Sequence, residues 1–328
     1  MKKSLMRFVR VSTPALGVLS LCVSAGNLLA GEDEPRRPFA EWAEVPGQGQ
    51  LLFGTFYEQS EAYHVWEQGN HRVNANFRTD DQNYGTDVRQ GYFTLDYGIT
   101  EKWAADLNLG GTTVGWRPFD NGTIQKTTGI MDPTFGVRYQ IFNEAQSNAP
   151  AWLPTLTFRV GGIIPGDYDR KLGFAPGNHG AAIEPSILFR KHFGWPGFGI
   201  WGDVLYRWEH TSGADQYIAA FGILQQIKSW ELDVGYRHLQ TLSGENIVLG
   251  PATGPGTYNS PVTVGPNWYP TDVREISDSI DAGFSYTTST HHIRWGFHAR
   301  KTFDGSNTDS PLWLGASVDI PFNLNRSK

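Results

Sequence analysis

The chain has 328 residues, of which 13% are aromatic, 38 are glycine and only 18% are charged. The charged fraction is below the roughly 25% typical of soluble domains, and abundant glycine with abundant aromatics favours many strands joined by tight turns. The net charge of −6 and the absence of a basic stripe argue against nucleic acid as a partner.

The first 30 residues have the layout of a secretory signal peptide. Basic residues precede a short apolar stretch, and a small-residue cleavage site ends at Ala30. A transmembrane anchor is disfavoured because the apolar run is too short. A lipoprotein signal at Cys22, the only cysteine, is the alternative, but Leu21 is larger than the residue such signals place there. We assign residues 1–30 to a signal peptide and the polar residues 31–47 to a flexible periplasmic tail.

From residue 48 onward, apolar and polar residues alternate in twelve segments separated by turn residues. Successive side chains of a strand point to opposite faces, so each segment predicts a strand with one apolar face. No segment is an apolar run long enough for a membrane-spanning helix. In chain order they are Gln48–Gln59, Asp87–Tyr97, Trp103–Gly111, Gly129–Phe142, Leu153–Ile164, Ala181–Phe193, Phe198–Glu209, Ala214–Ile227, Trp230–Gln240, Arg274–Thr287, His291–Phe303 and Pro311–Phe322. Pro185 removes a backbone donor in the sixth segment, so we expect a bulge there.

The connectors between these segments alternate in length. Those after odd-numbered segments are long, as in Ser60–Thr86 and Thr241–Val273, and those after even-numbered segments are short, as in Gly98–Lys102. Each class has one exception. Outer-membrane barrels have this asymmetry, with long extracellular loops and short periplasmic turns. An even number of strands then places both termini in the periplasm.

The two faces of the segments differ in chemistry, because most polar faces carry full charges and the opposite faces carry bulky apolar groups. A soluble barrel turns its apolar face inward, and a membrane barrel inverts this arrangement. The signal peptide, the loop asymmetry and the aromatic residues near segment ends favour the membrane. We predict an all-β fold, a transmembrane antiparallel up-and-down β-barrel of about 12 strands, with 14 as the alternative. It spans residues 48–322, with a C-terminal tail at 323–328, in the bacterial outer membrane.

Three motifs carry a family resemblance: YGITEKW at 97–103, GIMDPTFGVRYQIF at 129–142 and LTFRVGGIIPGDYD at 156–169. In this order, they resemble the outer-membrane transporter family of the meta-pathway of phenol degradation, which is similar to the fatty-acid and toluene channels. The resemblance runs from about Gly91 to the C-terminus. It implies passive uptake of a small hydrophobic or aromatic solute.

The end of the chain carries a second resemblance. Gly315, Val318, Ile320 and Phe322 are similar to the signal that the barrel-assembly machinery reads. That machinery and outer-membrane lipid are therefore the expected partners, beside the small-molecule solute. The sequence leaves the oligomeric state open.

Charged residues on the polar faces are candidates for lining the pore. They would line a permeation path, or form interstrand ion pairs that fill and rigidify the barrel, and the two roles are compatible. Both signs are present, so no strong ion selectivity is expected. The candidates are Asp106, Arg138, Arg159, Glu184, Arg190, Asp203, Arg207, Glu209, Asp233, Arg237, Asp281, Arg294 and Arg300.

The long connectors hold four aromatic candidates for a hydrophobic solute entrance: Trp66, Tyr84, Trp268 and Tyr269. Loops are where specificity is expected on a rigid barrel. The alternative is that these side chains pack the loops shut.

His210 and Ser212 raise an alternative from another functional class. A histidine two residues before a serine resembles the motif of outer-membrane lipid A deacylases, where an imidazole activates a hydroxyl. A tight polar hairpin is the simpler interpretation, and a non-conducting structural barrel is a third. No metal and no cofactor is predicted, because adjacent residues such as His291 and His292 point to opposite faces of a strand.

Overall fold

The computed structural model describes residues 43–62, 64–67, 71–74, 86–116, 125–145, 150–168, 180–193, 197–210, 214–244 and 274–324. These residues form sixteen strands. They are β1 Gln50–Ala62, β2 His64–Glu67, β3 His71–Asn74, β4 Thr86–Gly98, β5 Trp103–Trp116, β6 Gln125–Ile130, β7 Thr134–Phe142, β8 Thr155–Ile163, β9 Ala182–His192, β10 Phe198–Glu209, β11 Gln216–Ile227, β12 Trp230–Thr241, β13 Ile276–Thr287, β14 Arg294–Ser306, β15 Thr308–Asp309 and β16 Leu312–Asn323. In this part of the chain, we find no helix with the length and apolar character needed to cross a membrane.

Twelve of the described strands close into an antiparallel barrel, in the order β4, β1, β16, β14, β13, β12, β11, β10, β9, β8, β7 and β5. The circle closes where β5 pairs with β4. The last strand, β16, pairs with β1 from Glu61↔Leu312 to Gln50↔Asn323. The predicted fold class and the number of barrel strands are confirmed. Closure leaves no unpaired backbone edge, which lipid requires.

One end of the barrel carries tight turns and is called the turn end below. The N–H groups of Ile99 and Thr100 both donate to Trp103 O, at 2.8 and 3.1 Å. β11 and β12 are joined by Lys228 and Ser229 alone, with Lys228 at a φ of 54°. The two ends of the described chain meet here, because Leu324 N donates to Gly49 O at 2.9 Å. The opposite end is called the loop end.

The predicted connectors at the loop end are partly strands, which corrects the sequence analysis. β5 continues to Trp116 and pairs with β6, and β14 continues to Ser306. β15, β2 and β3 form a separate three-stranded sheet. The sequences of these extensions lack the regular alternation of apolar and polar residues that marks a lipid-facing strand.

The predicted fourth segment is two strands, β6 and β7, separated by Met131–Pro133. Pro133 cannot donate a ladder hydrogen bond. Asp132 holds the break in place, because its Oδ1 accepts from Gly166 N at 2.7 Å and from the Tyr168 hydroxyl at 2.5 Å.

The bulge predicted at Pro185 is wrong. β9 keeps one register with β8 through Val160↔Pro185, and its register with β10 is the same at Leu205↔Ser186 and at Trp208↔Ile183. The missing proline N–H is accommodated by a gap in the β9–β10 pairing between those two positions. Register shifts occur instead in the β7–β8 pair after Gln140 and in the β13–β14 pair after Asp278.

The outer surface of the barrel is apolar. Exposed side chains at every second position include Phe93, Phe135, Val137, Ile187, Val204, Phe221, Ile223, Val234, Ile280, Phe284, Phe297 and Leu314. Trp103 and Trp230 are exposed at the turn end and Trp208 at the loop end, the positions of interfacial aromatic girdles. An outer surface of this kind is stable in lipid, so the inverted, transmembrane orientation applies.

Candidate functional site

The barrel interior is the candidate site, and every predicted pore-lining charge lies at an inward position. Nine of these side chains are buried: Asp106, Arg138, Arg159, Glu184, Arg190, Asp203, Asp233, Asp281 and Arg294. The other four, Arg207, Glu209, Arg237 and Arg300, are half-buried. Buried charges require partners. The choice of partners determines whether these side chains stay along the wall or reach across the lumen.

A chain of ion pairs begins on β4 and crosses to β8. Arg138 pairs with Asp96, and its Nε lies 3.7 Å from Asp106 Oδ2. Asp106 in turn accepts hydrogen bonds from Arg159, with 2.7 Å between Nη2 and Oδ1 and 3.1 Å between Nε and Oδ2. Asp96 lies on the polar face of the second segment but is not among the predicted pore-lining residues.

The same chain of pairs continues to β10. Arg159 Nη1 lies 3.8 Å from Glu184 Oε2, and Glu184 Oε1 accepts from Arg207 Nε at 2.7 Å. Arg207 also donates to Gln216 Oε1 at 2.8 Å. These charges pair sideways along the wall instead of across the lumen. We call the six charged residues the ion-pair ladder: Asp96, Asp106, Arg138, Arg159, Glu184 and Arg207.

The opposite wall carries a second set of pairs. Asp281 accepts from Arg300 Nε at 2.7 Å and lies 3.6 Å from Arg237 Nε. Nearer the turn end, Arg294 donates to Glu231 Oε1 at 3.1 Å. Most of the candidates thus lie in ion pairs along the wall, and their role in lining a permeation path stays a prediction.

Glycines on the same strand or on neighbouring strands receive several of the largest inward side chains. A Cβ atom at Gly136 or Gly161 would collide with the Arg159 guanidinium, and one at Gly222 or Gly235 would collide with the Trp201 indole. These side chains therefore lie flat against the wall and do not project into the lumen. The same occurs where His298 covers Gly315 and Tyr92 covers Gly110.

The last residues of the predicted tail lie inside the barrel, which corrects their assignment to a flexible periplasmic segment. Ala43 is buried, and its carbonyl oxygen accepts from Gln140 at 3.4 Å and from the Thr157 hydroxyl. Glu44 O accepts from Arg138 Nη1 at 3.0 Å. We call residues 43–47 the N-terminal plug, because they fill the turn end of the lumen beside β7 and β8.

A carboxylate outside the membrane-spanning strands supports this plug. Arg190 pairs with the Glu44 carboxylate, and its Nε lies 3.7 Å from Glu144 Oε1 in the turn after β7. Burial alone would raise the pKa of Glu144, but hydrogen bonds from the His192 side chain and backbone and from Lys191 outweigh it and lower the pKa to about 2. Glu144 is thus a fixed negative charge at the foot of the plug.

A mixed aromatic and polar cluster lies at mid-height on β14, β1 and β4. Phe56 stacks on His298, with ring centroids 4.7 Å apart and planes 8° apart, and Tyr92 lies 5.6 Å from Phe56. Glu58 lies next to them, with Oε2 at 3.5 Å from His298 Nε2, and it accepts a hydrogen bond from Gln90. These residues are far apart in sequence, so only the register between strands could have shown that they are neighbours.

The remaining candidates lie at the loop end. Trp66 is half-buried in β2, and Tyr84, Trp268 and Tyr269 lie outside the described residues. His210 is exposed, with its N–H donated to Ala181 O at 2.8 Å, whereas Ser212 lies outside the described residues. Within the described ranges, no three His, Cys, Asp or Glu side chains are grouped to hold a metal ion.

Comparison with known proteins gives the fold. No protein-family model and no curated protein matches the sequence. The COG4313 outer membrane channel from Pseudomonas putida F1 is similar in structure, with a TM-score of 0.65 and 14% identity over 89% of this chain and 100% of that one. The translocator domain of the autotransporter NalP from Neisseria meningitidis gives a TM-score of 0.41 and 14% identity, over 84% of this chain and 89% of that one. The CymD monoaromatic hydrocarbon channel gives a TM-score of 0.40 and 11% identity, over 85% of this chain and 89% of that one. The chain therefore has the fold of a bacterial outer-membrane β-barrel.

Proposed function

We propose that this protein is an outer-membrane channel for the passive uptake of small hydrophobic or aromatic solutes. The observation that carries the proposal is an asymmetry of the inner wall. Most inward side chains of β7, β8 and β9 are buried, whereas most of those of β16 and β4, such as Trp313 and Tyr92, are only half-buried. On β1, which lies between them, Phe56 is half-buried as well. The barrel wall covers the outer side of these inward residues. Open space inside the barrel therefore accounts for their partial exposure.

The construction of the wall favours passage. Charges are paired along the ion-pair ladder and large side chains lie over glycines, so neither crosses the lumen. A solute moving along β16, β1 and β4 meets Trp313, Phe56 and Tyr92, which offer apolar rings for weak, reversible contact. These rings, together with the resemblance to the phenol-pathway transporters, support an aromatic or otherwise hydrophobic solute.

Two further partners are proposed, outer-membrane lipid and the barrel-assembly machinery. The apolar exterior of exposed Phe, Ile and Val side chains suits outer-membrane lipid. β16 ends at Asn323 and carries the alternating Gly315-to-Phe322 pattern, so we propose it as the element that the barrel-assembly machinery binds. The alternative, an outer-leaflet hydrolase using His210 and Ser212, gains no support from the described residues.

The test is electrical recording of the purified full-length protein in planar bilayers, with uptake of a small uncharged sugar into liposomes as a second readout. Folding is verified by heat-modifiable migration on a gel. Discrete current steps and liposome swelling are expected. A barrel that is folded but silent in both assays would refute the proposed function.

A further inference from the structure

In the aromatic and polar cluster at mid-height, Glu58 fixes the orientation of one side-chain amide, that of Gln90. In the barrel register, Glu58 lies opposite Gln90 on one side and opposite Gly315 on the other. Glu58 is only 6% exposed, and its carboxylate Oε1 accepts a hydrogen bond from Gln90 Nε2. An ionised carboxylate can only accept, so it selects the NH2 side of the Gln90 amide.

This selection determines what Gln90 offers to the lumen. With its nitrogen committed to Glu58, the amide directs its carbonyl oxygen away from the carboxylate. Gln90 is half-buried on an inward position of β4, on the side of the barrel where the lumen is open. The group available to a solute is therefore an acceptor, and it needs a donor from the solute.

Two aromatic rings lie directly beside this acceptor, with their planes 52° apart. Phe56 pairs with Tyr92 in the register one row nearer the turn end, and both rings are half-buried on inward positions. His298 backs Phe56 by stacking on it, and lies across Gly315, where a side chain would collide with the imidazole. The rings are thus held in place for an aromatic solute to stack on.

The local charges disfavour an anionic solute. Glu58 is an acidic residue, and Arg300 in the same wall already interacts with Asp281, at 2.7 Å, and with Glu58. A ring bearing a carboxylate would bring a second negative charge toward a buried one.

Resting on the proposed channel function, we propose that Phe56, Tyr92 and Gln90 form a solute subsite for uncharged aromatic rings that carry a hydrogen-bond donor. Phe56 and Tyr92 contact the ring, and Gln90 Oε1 accepts from the donor. Glu58 is a positioning residue, which acts by fixing the orientation of the Gln90 amide.

The experiment compares two neutral probes that differ in the donor, benzyl alcohol and benzyl methyl ether. Binding to the full-length protein in lipid nanodiscs is measured by ligand-observed NMR, with empty nanodiscs as the baseline. The wild type should prefer the alcohol by about three- to tenfold, the range for one neutral hydrogen bond. Glu58→Gln lets the Gln90 amide turn either way, so the preference should fall toward one while binding of the ether is retained.

Two further variants make the result decisive. Gln90→Leu removes the acceptor and should weaken binding of the alcohol without weakening that of the ether. Gln226→Leu changes an inward amide on β11, on the other side of the barrel, and should leave the preference as in the wild type. Equal binding of both probes by the wild type would overturn the subsite, and an undiminished preference in Glu58→Gln would overturn the positioning role.

Bilayer recordings on the same preparations separate this inference from the proposed function. A barrel that conducts without discriminating the probes overturns the subsite alone. A barrel that discriminates the probes but never conducts overturns the channel function and leaves the subsite in place.

Discussion

Removal of the Asp106 carboxylate tests the ion-pair ladder directly. Asp106 is 5% exposed, its two oxygens lie 2.7 and 3.1 Å from Arg159 nitrogens, and Arg138 Nε lies 3.7 Å away. Asp106→Asn keeps the volume but leaves the buried Arg159 without its main counter-charge. Breaking a buried pair from one side costs about 3–5 kcal/mol. We expect a loss of unfolding free energy of that size.

The chain supplies a matched control on its outer face. Asp87 pairs with Arg89 at 3.1 Å, but their side chains are 40% and 49% exposed. Asp87→Asn should therefore cost no more than about 1 kcal/mol. Both variants are measured by urea unfolding in lipid vesicles, followed by heat-modifiable gel migration. The double variant Asp106→Asn with Arg159→Met should recover part of the loss, because the unpaired charge is gone.

Equal losses in Asp106→Asn and Asp87→Asn would refute this reasoning. That result would mean that lumen water solvates Arg159 as well as bulk water solvates a surface side chain. The ladder would then be a set of independent contacts with little effect on stability.

Three further predictions concern the wall, the plug and the turn. Gly315→Ala places a methyl group against the His298 ring and should cost about 1–3 kcal/mol, whereas Gly111→Ala, with its nearest neighbour at 3.5 Å, should fold with normal stability; equal unfolding curves would contradict this. Glu44→Gln weakens the arginine contact of the N-terminal plug and should raise the mean single-channel conductance, and unchanged current steps would show that the plug does not limit flow. The pKa of Glu144 is lowered from 4.5 to about 2, so its charged form stabilises the fold fully above pH 4.5 and this contribution is lost as the pH falls toward 2. Glu144→Gln should therefore lower stability at pH 7 and have little effect near pH 2, and a loss of the same size at both values would contradict the assignment.

The strands were predictable because lipid imposes alternation on them. β10 runs from Phe198 to Glu209 as the sequence predicts, since apolar side chains recur at every second position up to Trp208, with Gly202 as the exception. β6 and the last residues of β5 were not predictable, because the sequence of β6, QKTTGI, lacks the alternation of apolar and polar residues that marks a lipid-facing strand.

The candidate site was predictable in position but not in its contacts. Alternation alone placed each selected charge on the inner face. Pairing requires the register between strands, and the partners Asp106 and Arg159 are 53 residues apart. The N-terminal plug gave no signal in the sequence, because Ala43 and Glu44 are held mainly through backbone carbonyls, which every residue has.

Single-channel recording of the folded full-length protein in planar bilayers tests the central claim most directly. The open space that we propose along β16 and β4 predicts discrete current steps, and a reversible reduction of those steps when benzyl alcohol is added. A correctly folded barrel with no current, both as the wild type and as Glu44→Gln with its plug weakened, would contradict the claim that this barrel is a channel.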